Sequence, residues 1–289
     1  MPKARELILS TSRGKADLKL GSIFFIGTAT TLIRYGGFTI LTDPNFLHRH
    51  ERVRLGYGLR SKRLTDPALD IEELPPVDLV VLSHYHEDHF DRVAEQKLDK
   101  WLPIVTTKHA AAALTKQGFQ ATYPVNTWES QTFVKGSVRL RVTSMPGEHG
   151  PGIISRLLPP VMGSVLDFET TNGAPLLRLY ITGDTLIHRK LKQIPKRYPN
   201  IDLALLHLGG TRALGILVTM DDKQGVEAIR IINPTLAIPI HYNDYTVFKS
   251  PLSDFQRSVR EAGLEDRVRY LSHGETYTFQ VPQSRIRQK

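Results

Sequence analysis

Cysteine is absent from the 289-residue chain. That excludes disulfides, thiolate zinc sites and a cysteine nucleophile. No apolar run approaches the roughly 18 residues needed to cross a bilayer. Met1 to Leu20 carries charges throughout and lacks the apolar stretch of a signal peptide. A cytoplasmic protein without a transmembrane segment is therefore expected. Acidic residues are in deficit, with 29 Asp and Glu against 38 Lys and Arg, a formal net charge of +9. This balance favours anionic partners, whether phosphate esters, nucleic acid or a membrane surface, without choosing among them. Part of the excess is local. Arg49, Arg52, Arg54, Arg60, Lys62 and Arg63 share the stretch His48–Arg63 with Tyr57, while Arg285, Arg287 and Lys289 sit on the tail. Apolar residues make up 40% and charged residues 23%, as in a globular chain with a sizeable core.

No low-complexity linker divides the sequence. Residues 1–289 read as one domain, with a short extension over about 1–20 and a basic tail over about 281–289. Strand signals come in two sets. The first is Ile23–Ile26, Thr31–Tyr35, Phe38–Thr42 and Val77–Ser83, with Gly36-Gly37 as a two-residue hairpin turn. The second is Val138–Thr143, Ser164–Phe168, Leu176–Thr182, Ile201–His207 and Thr235–Ile240. Leu79–Leu82 and Leu203–Leu206 are apolar throughout, which suits strands buried on both faces. Helices are expected over His109–Gln117, from the Thr219-x-x-Asp222 signal to about Ile232, and over Ser253–Ala262. Strands that need cover on both faces imply an α/β fold, a four-layer sandwich of two mixed β-sheets with helices outside.

The strongest chemical signal is Ser83-His84-Tyr85-His86-Glu87-Asp88-His89. It directly follows a buried strand. In extended chain His84 and His86 point to one side. Asp88 and His89 then converge on the same volume from the first turn of a following helix. Three imidazoles and a carboxylate within six residues form a ligand cluster for borderline divalent metals. Other candidates stand where strands end: His149 in a Gly-rich loop, Asp184 in Thr182-Gly183-Asp184-Thr185, and His241. Taken alone, His149 reads more often as a surface residue, Asp184 as a possible helix cap, and His241 as ambiguous.

The order HxHxDH, lone His, GDT Asp and late His, with spacings of 60, 35 and 57 residues, resembles the metallo-β-lactamase superfamily. Leu74–Asp78, Met220-Asp221 and Ser272–Thr276 are similar to one branch, that of N-acylphosphatidylethanolamine phospholipase D and the L-ascorbate-6-phosphate lactonase-like proteins. The similarity spans roughly Ile23 to Phe279. It implies an αββα sandwich with a dinuclear site between the sheets. His84, His86 and His149 would hold one metal, Asp88, His89 and His241 the other, and Asp184 would bridge them. Asp43 matches a position that orients a ligand histidine. Oxygen and nitrogen ligands without thiolate suit Zn²⁺ first, then Mn²⁺ or Fe²⁺. The resemblance also implies a homo-oligomer.

Such a site generates a metal-bridging hydroxide that attacks phosphorus or carbonyl carbon. Asp88 is the candidate catalytic residue, orienting the nucleophile. Candidates for a proton donor or a substrate contact are His207, Tyr242 and Asp244. His273 reads as a turn or supporting residue. Two segments can set specificity: the basic stretch His48–Arg63, suited to phosphate, and the apolar stretch Ile153–Met162, interrupted by Pro159-Pro160. Both leave a bland alternative, a solvated loop and core packing respectively. After the last ligand the chain carries Asn243-Asp244 where the branch has small residues, which loosens the link to any one substrate. The expected activity is metal-dependent hydrolysis of an anionic small molecule or lipid, a phosphodiester or phosphate-bearing ester. The alternatives are a lactonase, a nuclease and a non-catalytic metal-binding scaffold. The nuclease has basic charge in its favour but no aromatic-rich RNA motif or extended basic stripe. The scaffold is opposed by a full set of seven ligands.

Overall fold

The computed structural model describes residues 6–10, 16–55, 58, 60–152 and 154–286. Tyr57, Ile153, Arg287 and Lys289, named above, lie outside the described residues. Two seven-stranded mixed sheets pack face to face. One contains, in spatial order, Thr276–Gln280, Leu20–Gly27, Thr30–Tyr35, Phe38–Thr42, Leu79–Val81, Ile104–Thr106 and Thr122–Pro124. The other contains Glu6–Ile8, Ser130–Lys135, Val138–Pro146, Met162–Thr170, Pro175–Ile181, Leu203–His207 and Leu236–Ile240. No helix among the described residues is long and apolar enough to cross a membrane.

Alternation along the strands decides the layering. In Leu203–His207, Leu205 points between the sheets with Ile33, Leu140 and Ile238, while Ala204 and Leu206 face outward. The outward residues are covered by Val226, Ile229, Phe255 and Val259 from the helices Asp222–Ile232 and Leu252–Glu261. On the opposite side Leu41, Val80 and Leu82 are covered by Ala94, Ala110 and Leu114 from Arg92–Lys97 and Lys108–Lys116. The fold is thus the αββα sandwich expected from the apolar runs. The Gly36-Gly37 turn has φ of 59° and 83°, and Tyr35 pairs with Phe38 across it. Both turn positions require the left-handed region that glycine enters without penalty.

Two local expectations are corrected. Asp88 and His89 do not stand in the first turn of a helix. They lie in an irregular turn closed by His89 N–H and Phe90 N–H donating to His86 O, and the helix begins only at Arg92. Asp91 sets that start, its Oδ1 accepting from Ala94 N at 2.8 Å while Oδ2 accepts from Leu47 N at 2.7 Å. The helix after residue 220 is capped by Asp221, which accepts from Gln224 N at 3.0 Å, and not by Thr219. Thr219 is used elsewhere, as described below.

Candidate metal centre

Every element of the site hangs from the C-terminal end of a strand. Asp43 follows Phe38–Thr42, Ser83 to His89 follow Leu79–Val81, His149 follows Val138–Pro146, Asp184 follows Pro175–Ile181, and His241 follows Leu236–Ile240. Parallel and antiparallel pairing brings these ends to one rim of the sandwich, where functional groups of α/β folds gather. Reaching that rim needs special backbone. A Cβ on Gly183 (φ 63°) would stand 2.6 Å from Met162 O, so the turn presenting Asp184 tolerates only glycine without rearrangement. His241 itself has φ 62° and is pinned by donating from its backbone N to Thr28 O at 2.6 Å.

The structure brings all seven expected ligands together in two groups. His84, His86 and His149 form one; Asp88, His89, Asp184 and His241 form the other, with the ligand atoms of each within 4.8 Å of one another. His84 Nε2 and His86 Nδ1 are 3.0 Å apart. Two nitrogens on one tetrahedral ion at about 2.0–2.1 Å would stand about 3.3 Å apart, so this pair is close to the required spacing. In the second group Asp184 Oδ1 is 3.4 Å from His89 Nε2, and Asp88 Oδ2 is 3.6 Å from His241 Nε2. His84, His89 and His241 are completely buried.

A test of fit comes from unpaired atoms. Asp88 Oδ1, His89 Nε2, Asp184 Oδ1 and His241 Nε2 are buried and have no hydrogen-bond partner among the described residues. Buried polar atoms are ordinarily satisfied. Four orphans from four residues of one cluster have the donor set and the convergence that a divalent cation requires.

In four of the five histidines the other ring nitrogen, Nδ1, is held. His149 Nδ1 donates to Val218 O at 2.9 Å, and His241 Nδ1 to Leu208 O at 3.1 Å. His89 Nδ1 donates to Asp43 Oδ2 at 3.0 Å, and His84 Nδ1 donates to Ser83 Oγ at 3.0 Å. Each bond fixes a tautomer whose Nε2 lone pair faces the cluster. Thr219 Oγ1 donates to Asp184 Oδ2 at 2.7 Å and leaves Oδ1 free.

Electrostatics point the same way. Burial, reinforced by His89, His86 and His149, pushes His84 well below the usual imidazole value. Burial and His149 push His86 down to about 4. These imidazoles are neutral, as ligands must be. Burial opposes charge on Asp184 and Asp88 too, yet His241 and His89 hold Asp184 well below the carboxylate range, and His89 and His241 hold Asp88 low. Burial likewise opposes charge on His89, but Asp184, Asp88 and Asp43 raise it well above its ordinary value. The carboxylates of the second group therefore favour positive charge beside them.

The remaining candidates are placed differently. His207 is fully buried beside the second group and donates from Nε2 to Asp43 Oδ2 at 3.2 Å. Tyr242 packs in the core between the sheets, with its hydroxyl donating to Leu271 O at 2.8 Å. Asp244 is fully buried, with Oδ2 accepting from Thr28 N at 2.7 Å and Oδ1 accepting from Thr65 Oγ1 beside His273. Both oxygens of Asp244 and the hydroxyl of Tyr242 are thus engaged in holding loops. Asp43 has φ 35° and accepts from Ser83 through both its oxygens. Burial would raise it, yet His89 and His207 keep it well below the carboxylate range.

A cavity of about 290 Å³ opens onto His86, Asp88, His149 and Asp184. Its walls are Leu55, Ile154, Leu157, Leu158, Leu214, Ile216, Val218 and Val247. The apolar stretch around Pro159-Pro160 contributes through the short helix Ile154–Leu157. The basic stretch contributes little here. Arg63 is buried and structural, donating to Asn45 Oδ1 and to Thr65 O at 3.1 Å, and Arg52–Arg54 pairs with Arg60–Lys62 as an outlying ribbon. Arg54 borders a second, more polar cavity of about 570 Å³ that shares Leu55, His86, Leu157 and Leu158 with the first. Arg212 is the one Arg or Lys among the described residues lining the cavity at the cluster. Sequence reasoning missed the small ribbon of Arg212–Ala213 and Ile216–Leu217 that supplies this wall. Its signal was the exposed-looking apolar run after Gly215.

Fold and site together define a metal-dependent hydrolase of the metallo-β-lactamase fold. Residues 39–242 match the beta-lactamase superfamily domain, and the chain belongs to that superfamily. Among curated relatives, the UPF0173 metal-dependent hydrolase of Natranaerobius thermophilus is 27% identical over 219 residues, 73% of this chain and 89% of that one. A UPF0173 metal-dependent hydrolase of Aeropyrum pernix is 26% identical over 273 residues, 90% of this chain and 98% of that one. Among solved structures, an isothiocyanate hydrolase from Delia radicum gut bacteria superposes with a TM-score of 0.75 at 22% identity, covering 90% of this chain and 99% of that one.

Proposed function

We propose that the protein hydrolyses a small substrate at a carbonyl-type carbon that carries an apolar substituent, a lactone or ester first. The observation that carries this reading is the cavity of about 290 Å³, apolar on its walls and ending on Asp88, His86, His149 and Asp184. Its volume suits a small molecule, near the lower end for ligand pockets. The names of the relatives above carry no phospholipase or lactonase assignment, so the choice of substrate rests on this cavity. The isothiocyanate hydrolase is named for a small electrophilic carbon, which agrees in size and chemistry.

His84, His86 and His149 would hold one divalent ion, and Asp88, His89 and His241 a second, with Asp184 between them; zinc suits this nitrogen and oxygen set best. When bound, such ions supply Lewis-acid polarisation of the substrate and acidify water. Asp88 would accept a hydrogen bond from the attacking water and so orient it, a role supported by its burial, its lowered pKa and its position on the cavity. Leu214, Ile216 and Leu158 would offer apolar contact to the substituent of a bound substrate. Phosphodiester hydrolysis is the second reading, favoured by Arg212 at the cavity and by the net charge of +9.

The test is a substrate panel on metal-loaded protein after elemental analysis. Lactones, aryl esters, aryl isothiocyanates and bis(nitrophenyl) phosphate are compared on one sample. Turnover of the carbon electrophiles, abolished by chelator and restored by metal, is expected. Turnover of the phosphodiester alone overturns the first reading in favour of the second.

A further inference from the structure

His207 ends the strand Leu203–His207, is fully buried, and lies outside both ligand groups that combine into the seven-residue set, forming instead a third group with Asp43 and His89 whose ligand atoms lie within 4.8 Å of one another. Its hydrogen bonds are directional. Thr182 Oγ1 accepts from the backbone N of His207 at 2.9 Å and turns its own proton toward His207 Nδ1 at 3.3 Å. That contact makes Nδ1 an acceptor and places the ring proton on Nε2, which donates to Asp43 Oδ2 at 3.2 Å. The same oxygen accepts from His89 Nδ1 at 3.0 Å and from Ser83 Oγ at 2.9 Å, and Oδ1 accepts from Ser83 N at 2.6 Å. Asp43 is therefore saturated by four donors, of which His207 is the one supplied by the opposite sheet. The His207 and His89 rings are nearly parallel, with an interplanar angle of 10°. A chain of contacts thus runs from Thr182 through His207 and Asp43 to His89, and ends on the orphan Nε2 of His89.

We propose that His207 is a positioning residue: through Asp43 it fixes the ring of His89, and so sets the affinity of the group Asp88, His89, Asp184 and His241 for a divalent cation. It does not line the substrate cavity, and it reaches the group His84, His86 and His149 only through one further bond, from Asp43 by way of Ser83 Oγ to His84 Nδ1, so that group should depend on it less. This inference rests on the metal-centre reading above.

The experiment is cobalt(II) titration of the metal-stripped full chain, read by ligand-field absorption and by competition with a chelator. Wild-type protein takes up two ions. His207→Phe keeps the bulk and removes the donor. It should weaken one of the two ions by about 10- to 100-fold and the other clearly less. His207→Gln, whose amide can donate to Asp43 and accept from Thr182, should recover most of that loss. If the Phe variant does not fold, His207→Asn, polar but too short to reach Asp43, replaces it in the same comparison, with circular dichroism of the metal-free proteins as the control. Unchanged affinity for both ions, equal weakening of both, or no recovery with Gln overturns the proposal. Wild-type protein that takes up no cation overturns the metal-centre reading, and this one with it.

Discussion

Thr219 Oγ1 donates to Asp184 Oδ2 across 2.7 Å, and this bond decides which oxygen of Asp184 is left for a cation. Thr219→Val keeps the shape and removes the donor. Metal affinity should fall about 10- to 100-fold, because the carboxylate is then free to rotate. Competition with a chelator measures this. Wild-type affinity in the variant would mean that Asp184 is held by its backbone turn alone.

Asp88→Asn tests the proposed role of Asp88. The amide still fills the site but cannot accept a proton, and one of its faces now donates. Activity on whichever substrate the panel identifies should fall at least about 100-fold, with secondary structure unchanged by circular dichroism. A variant that retains most of its turnover would remove Asp88 from the mechanism.

Leu214 and Ile216 are 84% and 38% exposed and form part of the cavity wall, so they pack little in the fold. Replacing both with Ser should leave the melting temperature nearly unchanged. It should raise KM for a substrate with an apolar substituent about tenfold, the loss expected for one to two kcal/mol of apolar contact at roughly 25 cal/mol per Å². A drop in kcat with KM unchanged would place the ribbon outside the binding site.

Asp244 gives a stability prediction with a defined pH dependence. Burial opposes its charge, but His273, Arg63 and Thr65 hold its pKa below the ordinary value. A depressed folded pKa contributes stability above the unfolded value of about 3.9, and that contribution is lost as pH falls toward the folded one. Asp244→Asn should cost about 1–3 kcal/mol at neutral pH, since it leaves a donor from Thr28 or Thr65 unpaired. Urea midpoints measured across pH should show the gap to wild type narrowing below about pH 4. A gap independent of pH would show that charge at this position contributes nothing.

The site was more legible than its support. The histidines of Ser83–His89 stand after an apolar run that suits a buried strand, so position and chemistry coincide in a few residues. The later residues, His149, Asp184 and His241, are each ambiguous in isolation and gain meaning only from topology. Thr219 shows where local pattern fails: Thr219-x-x-Asp222 fits a capping signal, but Asp221 fits the helix start as well, and packing gave Thr219 to Asp184. The strands Ile104–Thr106 and Thr122–Pro124 are three residues each, too short for a period to show, and they exist because a neighbouring strand pairs with them. The phosphate reading of His48–Arg63 rested on charge alone. Charge does not reveal that Arg63 turns inward onto Asn45 while its neighbours stay in solvent.

Ser83 to His89 extend from one sheet, whereas His149, Asp184 and His241 extend from the other. An ion held by both contributions is a cross-link between the two halves of the chain. No fragment carrying one half possesses the full coordination set, so tight uptake has to come late in folding, after the halves have docked. Loss of the ion would then loosen the very seam along which the halves meet.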